Sequence, residues 1–222
     1  MTTNNVVFLF DVDNTLLDND RVTADLKRYL ECEVGAERQQ RYFAIFEQLR
    51  AQLGYADYLG ALQRYRAQYP RDLHVLTVSH FLLDYPFEER LFDNARRVVE
   101  GTKQYGTPVI LSDGDVVFQP HKIRRSGLYD AFEGAVLIYV HKEVELQDVA
   151  RRYTADHYVM VDDKLRILTA VKKVWNEKVT TVFVRQGHYA HDEKALSGYP
   201  PADRTIERIG DLAENLVLSA EW

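Results

Sequence analysis

Four places in this 222-residue chain set reactive side chains after an apolar run. The run at 6–10 leads into Asp11 and Asp13, and 108–111 leads into Ser112 and Asp113. The segment 135–140 precedes Lys142, and 158–161 is followed at once by Asp162 and Asp163. In extended backbone, residues i and i+2 point to one side, so Asp11 and Asp13 can face a single point beyond the end of a strand. Two converging carboxylates repel each other unless a proton or a cation lies between them. A hard divalent cation such as Mg²⁺ suits such oxygens. Asp and Asn also favour strand-to-helix turns, so spacing alone leaves a capping role open. Ser-Asp-Gly at 112–114 is ordinary turn chemistry, and a lone lysine is usually a solvated charge. The ordered series of Asp-x-Asp, Ser, Lys and Asp-Asp is harder to dismiss. Carboxylates, a cation site, a lysine and a hydroxyl suit phosphoryl transfer, and no well-placed G-x-G-x-x-G or Walker pattern points to nucleotide chemistry.

Elements must bring these residues together. The runs at 6–10, 108–111, 135–140, 158–161 and 181–184 lack polar alternation, which predicts strands buried on both faces. Helical spacing lies between them, as in 164–175, where Leu165, Leu168, Val171 and Trp175 recur on one face. Alternation of this kind predicts an α/β fold, a doubly wound parallel sheet that binds ligands at its carboxyl edge. The stretch from Arg21 to about Val98 holds no convincing strand. Tyr42, Phe46, Leu49 and Leu53 define one amphipathic helix, and Leu59, Leu62, Tyr65 and Tyr69 a second that ends at Pro70. Further helices are expected over 74–85 and 88–105. The division expected is a core of residues 1–17 and 99–222 with an inserted all-helical domain at 18–98.

Composition narrows the partners. With 46% hydrophobic residues the chain can bury a full core, and a net charge of −6 argues against nucleic acid or an anionic membrane surface. The single cysteine, Cys32, cannot form an internal disulfide, and neither a signal peptide nor a membrane span is evident. The expectation is a cytoplasmic protein, monomer or homodimer.

At the four reactive places the chain resembles the haloacid dehalogenase superfamily, most of whose members are phosphohydrolases. Asp11-Val12-Asp13-Asn14-Thr15 is similar to its first motif, Ser112 to its second, Lys142 to its third and Asp162-Asp163 to its fourth. The helical insertion resembles the cap of the helical-cap subgroup. The resemblance implies Asp11 as nucleophile, giving an aspartyl phosphate. It implies Asp13 as the acid that protonates the leaving oxygen and then the base that activates water. Mg²⁺ would be held by Asp11, the Asp13 main-chain carbonyl and Asp162, with Asp163 either a further ligand or a group that orients one. Ser112 and Asp113 would meet the phosphate, and Lys142 would offset the charge shared by Asp11 and the phosphoryl group. Lys122, in the helix after Ser112, is the rival for that lysine. Where an acid often follows the fourth motif, this chain has Lys164, Leu165 and Arg166.

The implied activity is Mg²⁺-dependent hydrolysis of a small phosphorylated metabolite. A phosphomutase shares the four motifs, and a non-catalytic phosphate- or metal-binding regulator is the reading from another class. Dehalogenation and phosphonate cleavage are disfavoured, because members of those types lack the second aspartate; the latter also need a cap lysine, and only Lys27 lies between Asp18 and Val98. His188, His191 and Asp192 are expected in a loop rather than a second metal site. Tyr55 or Tyr58 is expected on the substrate side of the cap.

Overall fold

The computed structural model describes residues 5–213, so the outer ends of the expected core segments, 1–4 and 214–222, lie outside the described residues. Six strands form one sheet: β1 (Val6–Phe10), β2 (Thr107–Asp113), β3 (Val136–Tyr139), β4 (His157–Asp162), β5 (Val179–Val184) and β6 (Arg204–Ile206). Their spatial order is β3-β2-β1-β4-β5-β6, and every pairing is parallel. The absence of polar alternation in β1 follows directly. Phe8 and Phe10 pack on one side with Ile110, Val159 and Val161, while Val7 and Leu9 pack on the other with Val109, Leu111 and Met160. The chain therefore needs apolar side chains at successive positions, not alternate ones. β2 and β4 run further than their apolar cores suggested, since Ser112 pairs with Ile138 and Asp162 with Phe183. β6 was not expected. It is three residues long, and Ile206 is its one buried side chain.

Between β1 and β2 lie α1 (Asn19–Glu33), α2 (Ala36–Leu53), α3 (Tyr58–Gln68) and α4 (Val75–Asp84). Asp18 caps α1 by accepting from the Arg21 N–H at 2.8 Å, and Asp57 caps α3 through the Gly60 N–H at 2.7 Å. These side chains satisfy helix-end donors that would otherwise lack partners. α2 ends at Gly54, whose φ of 82° is the left-handed geometry that glycine adopts without strain. The helix expected over 88–105 is two pieces, a 3₁₀ turn at Phe87–Arg90 and α5 (Ala95–Thr102). Asn94, with φ of 65°, separates them. The reason is a crossing: Leu17 bridges Leu91, the Asp18 N–H donates to the Arg90 carbonyl, and the Phe92 N–H donates to that of Leu16. The two connections between the inserted helices and the sheet thus lie side by side, and residues drawn into that bridge cannot be helical.

The remaining helices are α6 (Phe118–Arg125), α7 (Leu128–Ala131), α8 (Leu146–Arg152), α9 (Leu165–Trp175) and α10 (Glu193–Leu196). α8 and α9 cover the Leu9 face of the sheet. On the Phe8 face the core continues into the inserted helices. Phe118 of α6 lies 5.3 Å from Tyr58 of α3 and 5.7 Å from Phe87, ring centre to ring centre. These aromatic contacts fix the inserted helices over the carboxyl ends of β1 and β2.

Candidate active site

The sheet order reverses between β1 and β4, and this is where doubly wound sheets open a crevice at their carboxyl ends. Asp11 and Asp162 are neighbours there, since the Asp11 N–H donates to the Val161 carbonyl at 3.0 Å. Beyond β1 the chain turns sharply, with the N–H groups of Thr15, Leu16 and Leu17 all directed at the Val12 carbonyl. Asn14 takes a φ of 63° in this turn. Tight winding presents Asp11 and Asp13 to one cavity of about 410 Å³, roofed by residues of α1 and α2.

One oxygen from each of Asp11, Asp162 and Asp163 lies within 4.8 Å of the others, and all three residues are buried. Asp13 contributes no carboxylate oxygen to this group. Lys142, on a 3₁₀ turn just beyond β3, inserts its ammonium into the cluster, 2.5 Å from Asp11 Oδ1 and 2.7 Å from Asp162 Oδ2. It also donates to the Leu111 carbonyl, while its main-chain N–H donates to Asp113 Oδ1 at 2.7 Å. Burial works against the charge of Lys142, but the carboxylates of Asp11, Asp162 and Asp113 outweigh it and raise its proton affinity. Burial also raises Asp162, up to about 6, against the pull of Lys142. Asp163 is raised well above the ordinary carboxyl range by burial, with Lys164 opposing and Asp162 and Asp11 adding to the rise. Both of its oxygens are buried without a hydrogen-bond partner.

Orphaned carboxylate oxygens are costly unless something else satisfies them. All the donors are oxygen, the set a hard divalent cation takes. The cluster therefore has the ligand type and spacing to hold a divalent metal ion. Among the described residues no other group of three or more His, Cys, Asp or Glu has metal-ligand spacing.

Around this centre, Ser112 is buried at the end of β2. Its hydroxyl accepts from the Gln119 amide at 2.9 Å, a partner from α6 that the sequence did not disclose. The Thr15 hydroxyl donates to Asp11 Oδ2 at 3.3 Å. Asp113 lines the cavity but is committed to the Lys142 N–H, and burial raises its proton affinity. Lys164, directly after the acidic pair, borders the cavity and donates its N–H to Asp162 Oδ1 at 2.8 Å. Burial opposes its charge, yet Asp163, Asp11 and Asp162 keep it protonated.

Lys122, the expected rival of Lys142, does not approach Asp11. Its ammonium lies 2.5 Å from Asp13 Oδ1. Both lysines are thus engaged, one at each aspartate of the first motif. Tyr55 lines the cavity, whereas Tyr58 is fully buried, with its hydroxyl 2.6 Å from that of Thr23.

The roof is fastened to the core. Arg50, in the last turn of α2, hydrogen-bonds the Tyr189 hydroxyl through Nε at 3.1 Å, and its Nη2 meets His188 Nε2 at 2.6 Å. The other ring nitrogen of His188 faces Asp20 Oδ1 at 2.6 Å, and its main-chain N–H donates to Asp20 Oδ2. Burial alone would raise Asp20, but its hydrogen bonds and charge contact with His188, joined by the Asn14 amide, lower it. His188 therefore borders the cavity with one ring nitrogen facing Arg50 and the other facing Asp20. Sequence distance concealed this contact, since Arg50 and His188 are 138 residues apart.

Comparison with known proteins agrees with this arrangement. Residues 6–210 match the haloacid dehalogenase-like hydrolase family. The chain belongs to that family. A protein from Burkholderia xenovorans LB400 assigned by name to the haloacid dehalogenase-like hydrolases is 61% identical, with a TM-score of 0.92 over 95% of this chain and 98% of its own. The L-2-haloacid dehalogenase of Xanthobacter autotrophicus is 17% identical, with a TM-score of 0.64 over 97% of this chain and 99% of its own. The HAD-hydrolase YfnB of Bacillus subtilis, solved bound to magnesium, is 17% identical, with a TM-score of 0.61 over 96% of this chain and 99% of its own. The last two establish likeness of fold alone. A search of curated proteins finds no match. As a member of the family, the chain is a hydrolase with the Rossmann-like core of the group. Among the described residues no helix is long and apolar enough to cross a membrane.

Proposed function

We propose that this hydrolase cleaves a small phosphate monoester, with Mg²⁺ bound at Asp11, Asp162 and Asp163 and at the Asp13 main-chain carbonyl that the family resemblance implies. The observation that carries the reading is Asp13. Its carboxylate opens on the same cavity as Asp11 but stands apart from the acidic triad, tied to a lysine of its own. Halide needs no proton to leave, whereas an alkoxide does, so a second acid at the cavity supports ester cleavage over dehalogenation. Asp11, steadied by Lys142 and Thr15, attacks phosphorus, and Asp13 protonates the departing oxygen. Asp13 then takes a proton from the water that releases phosphate from Asp11. Ser112 and Lys142 bind phosphoryl oxygens as charge develops on them. A divalent cation, when bound, offsets the charge on those oxygens and lets an anion approach the carboxylates. The latch between Arg50 and the 188–189 loop keeps bulk water from the cavity.

Phosphate release from p-nitrophenyl phosphate, measured with MgCl₂ and with chelator, tests this directly. Metal-dependent turnover that Asp11→Asn abolishes is the expected result. Halide release from 2-chloropropionate without phosphate release from any ester would overturn the reading, and so would wild-type turnover in Asp11→Asn.

A further inference from the structure

We propose that Lys122 is a positioning residue for Asp13, fixing its carboxylate for proton transfer through a buried ion pair that Asn19 anchors to the roof of the cavity. This rests on the phosphatase reading above. Lys122 is 1% exposed, and lysine is almost never so buried unless paired. Its ammonium has two hydrogen-bond partners, Asp13 Oδ1 at 2.5 Å and Asn19 Oδ1 at 3.2 Å. Lys142 serves Asp11 and Asp162 instead, so each aspartate of the first motif has its own cation. Asp13 keeps 21% of its side chain open and borders the cavity. With Oδ1 held from behind, the carboxylate is fixed in rotation and Oδ2 remains for the exchange of a proton.

The ammonium is itself well located. The Asn19 amide donates to the Tyr58 hydroxyl at 3.3 Å, and the Tyr58 ring packs on Phe118, one turn before Lys122 in α6. α1, α3 and α6 therefore converge on the group that orients Asp13. A surface ion pair would be loose and screened, whereas a buried one of this kind has a single geometry.

In the first half-reaction an Asp11 oxygen bonds to phosphorus, the ester P–O bond breaks, and the proton of Asp13 passes to the leaving oxygen. In the second, water bonds to phosphorus, its proton passes to Asp13, and the Asp11–phosphorus bond breaks.

A nitrophenolate leaves without a proton, but hydrolysis of the aspartyl phosphate still needs Asp13 as base. Lys122→Met should therefore show a burst of about one nitrophenolate per enzyme with p-nitrophenyl phosphate. Steady-state kcat should be at least about tenfold below wild type, with KM within about twofold. An ethyl phosphate, which needs the proton in both halves, should lose more. Because the lone variant leaves Asp13 without its cation, Asp13→Asn is also compared with Asp13→Asn/Lys122→Met, in which no charge is stranded. Equal kcat in these two supports action through Asp13, and a further tenfold loss in the double variant overturns it. Active wild type beside a burst-free Lys122→Met with equal losses on both esters overturns this proposal alone. Wild type that releases phosphate from neither ester overturns the phosphatase reading and this proposal with it.

Discussion

Asp163→Asn separates what the acidic cluster costs from what it is for. Both oxygens of Asp163 are buried and lack partners, and burial holds the carboxyl well above its ordinary range. A buried carboxylate costs several kcal/mol even after relaxation, whereas an unpartnered neutral amide costs roughly 1–3 kcal/mol. Without metal near pH 8, the variant should therefore be more stable than wild type by about 1–3 kcal/mol. For a chain of this size each kcal/mol moves the melting temperature by about 2–4 °C. The sign of the pH dependence follows from the same shifts. Asp162 is pushed up to about 6 from 3.8, and Asp163 is raised in the same direction. The folded form thus holds protons that the unfolded form has released. The contribution of this pair is complete below about pH 4 and is lost as pH rises through about 6 and beyond. Asp163→Asn should flatten that decline. Mg²⁺ at a hundred times its dissociation constant should add about 2.7 kcal/mol to wild type and much less to the variant. Thermal melts between pH 5 and 8, with chelator and with MgCl₂, measure both effects. A variant that melts below wild type in chelator at pH 8, or that gains as much from Mg²⁺, would refute the assignment of Asp163.

Two further outcomes follow from the geometry. Lys142→Met leaves Asp11 and Asp162 facing each other in a dry site, so urea unfolding in chelator should show a loss of about 3–5 kcal/mol, and an unchanged midpoint would contradict the role of its ammonium. Arg50→Ala removes hydrogen bonds from α2 to Tyr189 and His188, each contributing about 0.5–1.5 kcal/mol; steady-state kinetics with an aryl phosphate should show KM several-fold higher, and an unchanged KM would remove Arg50 from closure of the cavity.

β1, β2, β4 and β5 were legible because they are buried on both faces, which writes an apolar run into the sequence; β3 shows the same run but lies at the sheet edge, where only Leu137 is buried. β6 carries one buried side chain in three residues and leaves no such mark. The break between Arg90 and Ala95 was hidden for a different reason: it exists to bridge Leu17, and a long-range bridge has no local signal. The same distinction runs through the site. Asp11, Ser112, Lys142 and Asp162 stand out because each comes at or just past the end of an apolar run. Lys122 lies within a helix, where the long stem of a lysine lets it reach inward or outward from similar spacing. Its partnership with Asp13 becomes visible only when α6 is placed beside β1. Lys164 follows the acidic pair directly, and only its surroundings show a cation embedded among carboxylates. Asp20, His188 and Arg50 come from three distant segments and carry no joint pattern.

The charges at the centre explain why these lysines and acids occur together. Asp11, Asp13, Asp113, Asp162 and Asp163 meet Lys122, Lys142 and Lys164, a formal excess of two negative charges. Each acid but one has a fixed partner. Asp11 and Asp162 share Lys142, Asp13 has Lys122, and Asp113 accepts from the main chain of Lys142. Asp163 alone has no hydrogen bond, so it is where the excess is least compensated. The lysines are covalently part of the fold and cannot vary the charge, whereas a bound divalent cation can. On the proposed phosphatase reading, its positive charge would offset that excess, and without it an arriving phosphate ester would add repulsion to the carboxylates. On that proposed reading, anion affinity is tied to the cation by charge, before any step of chemistry.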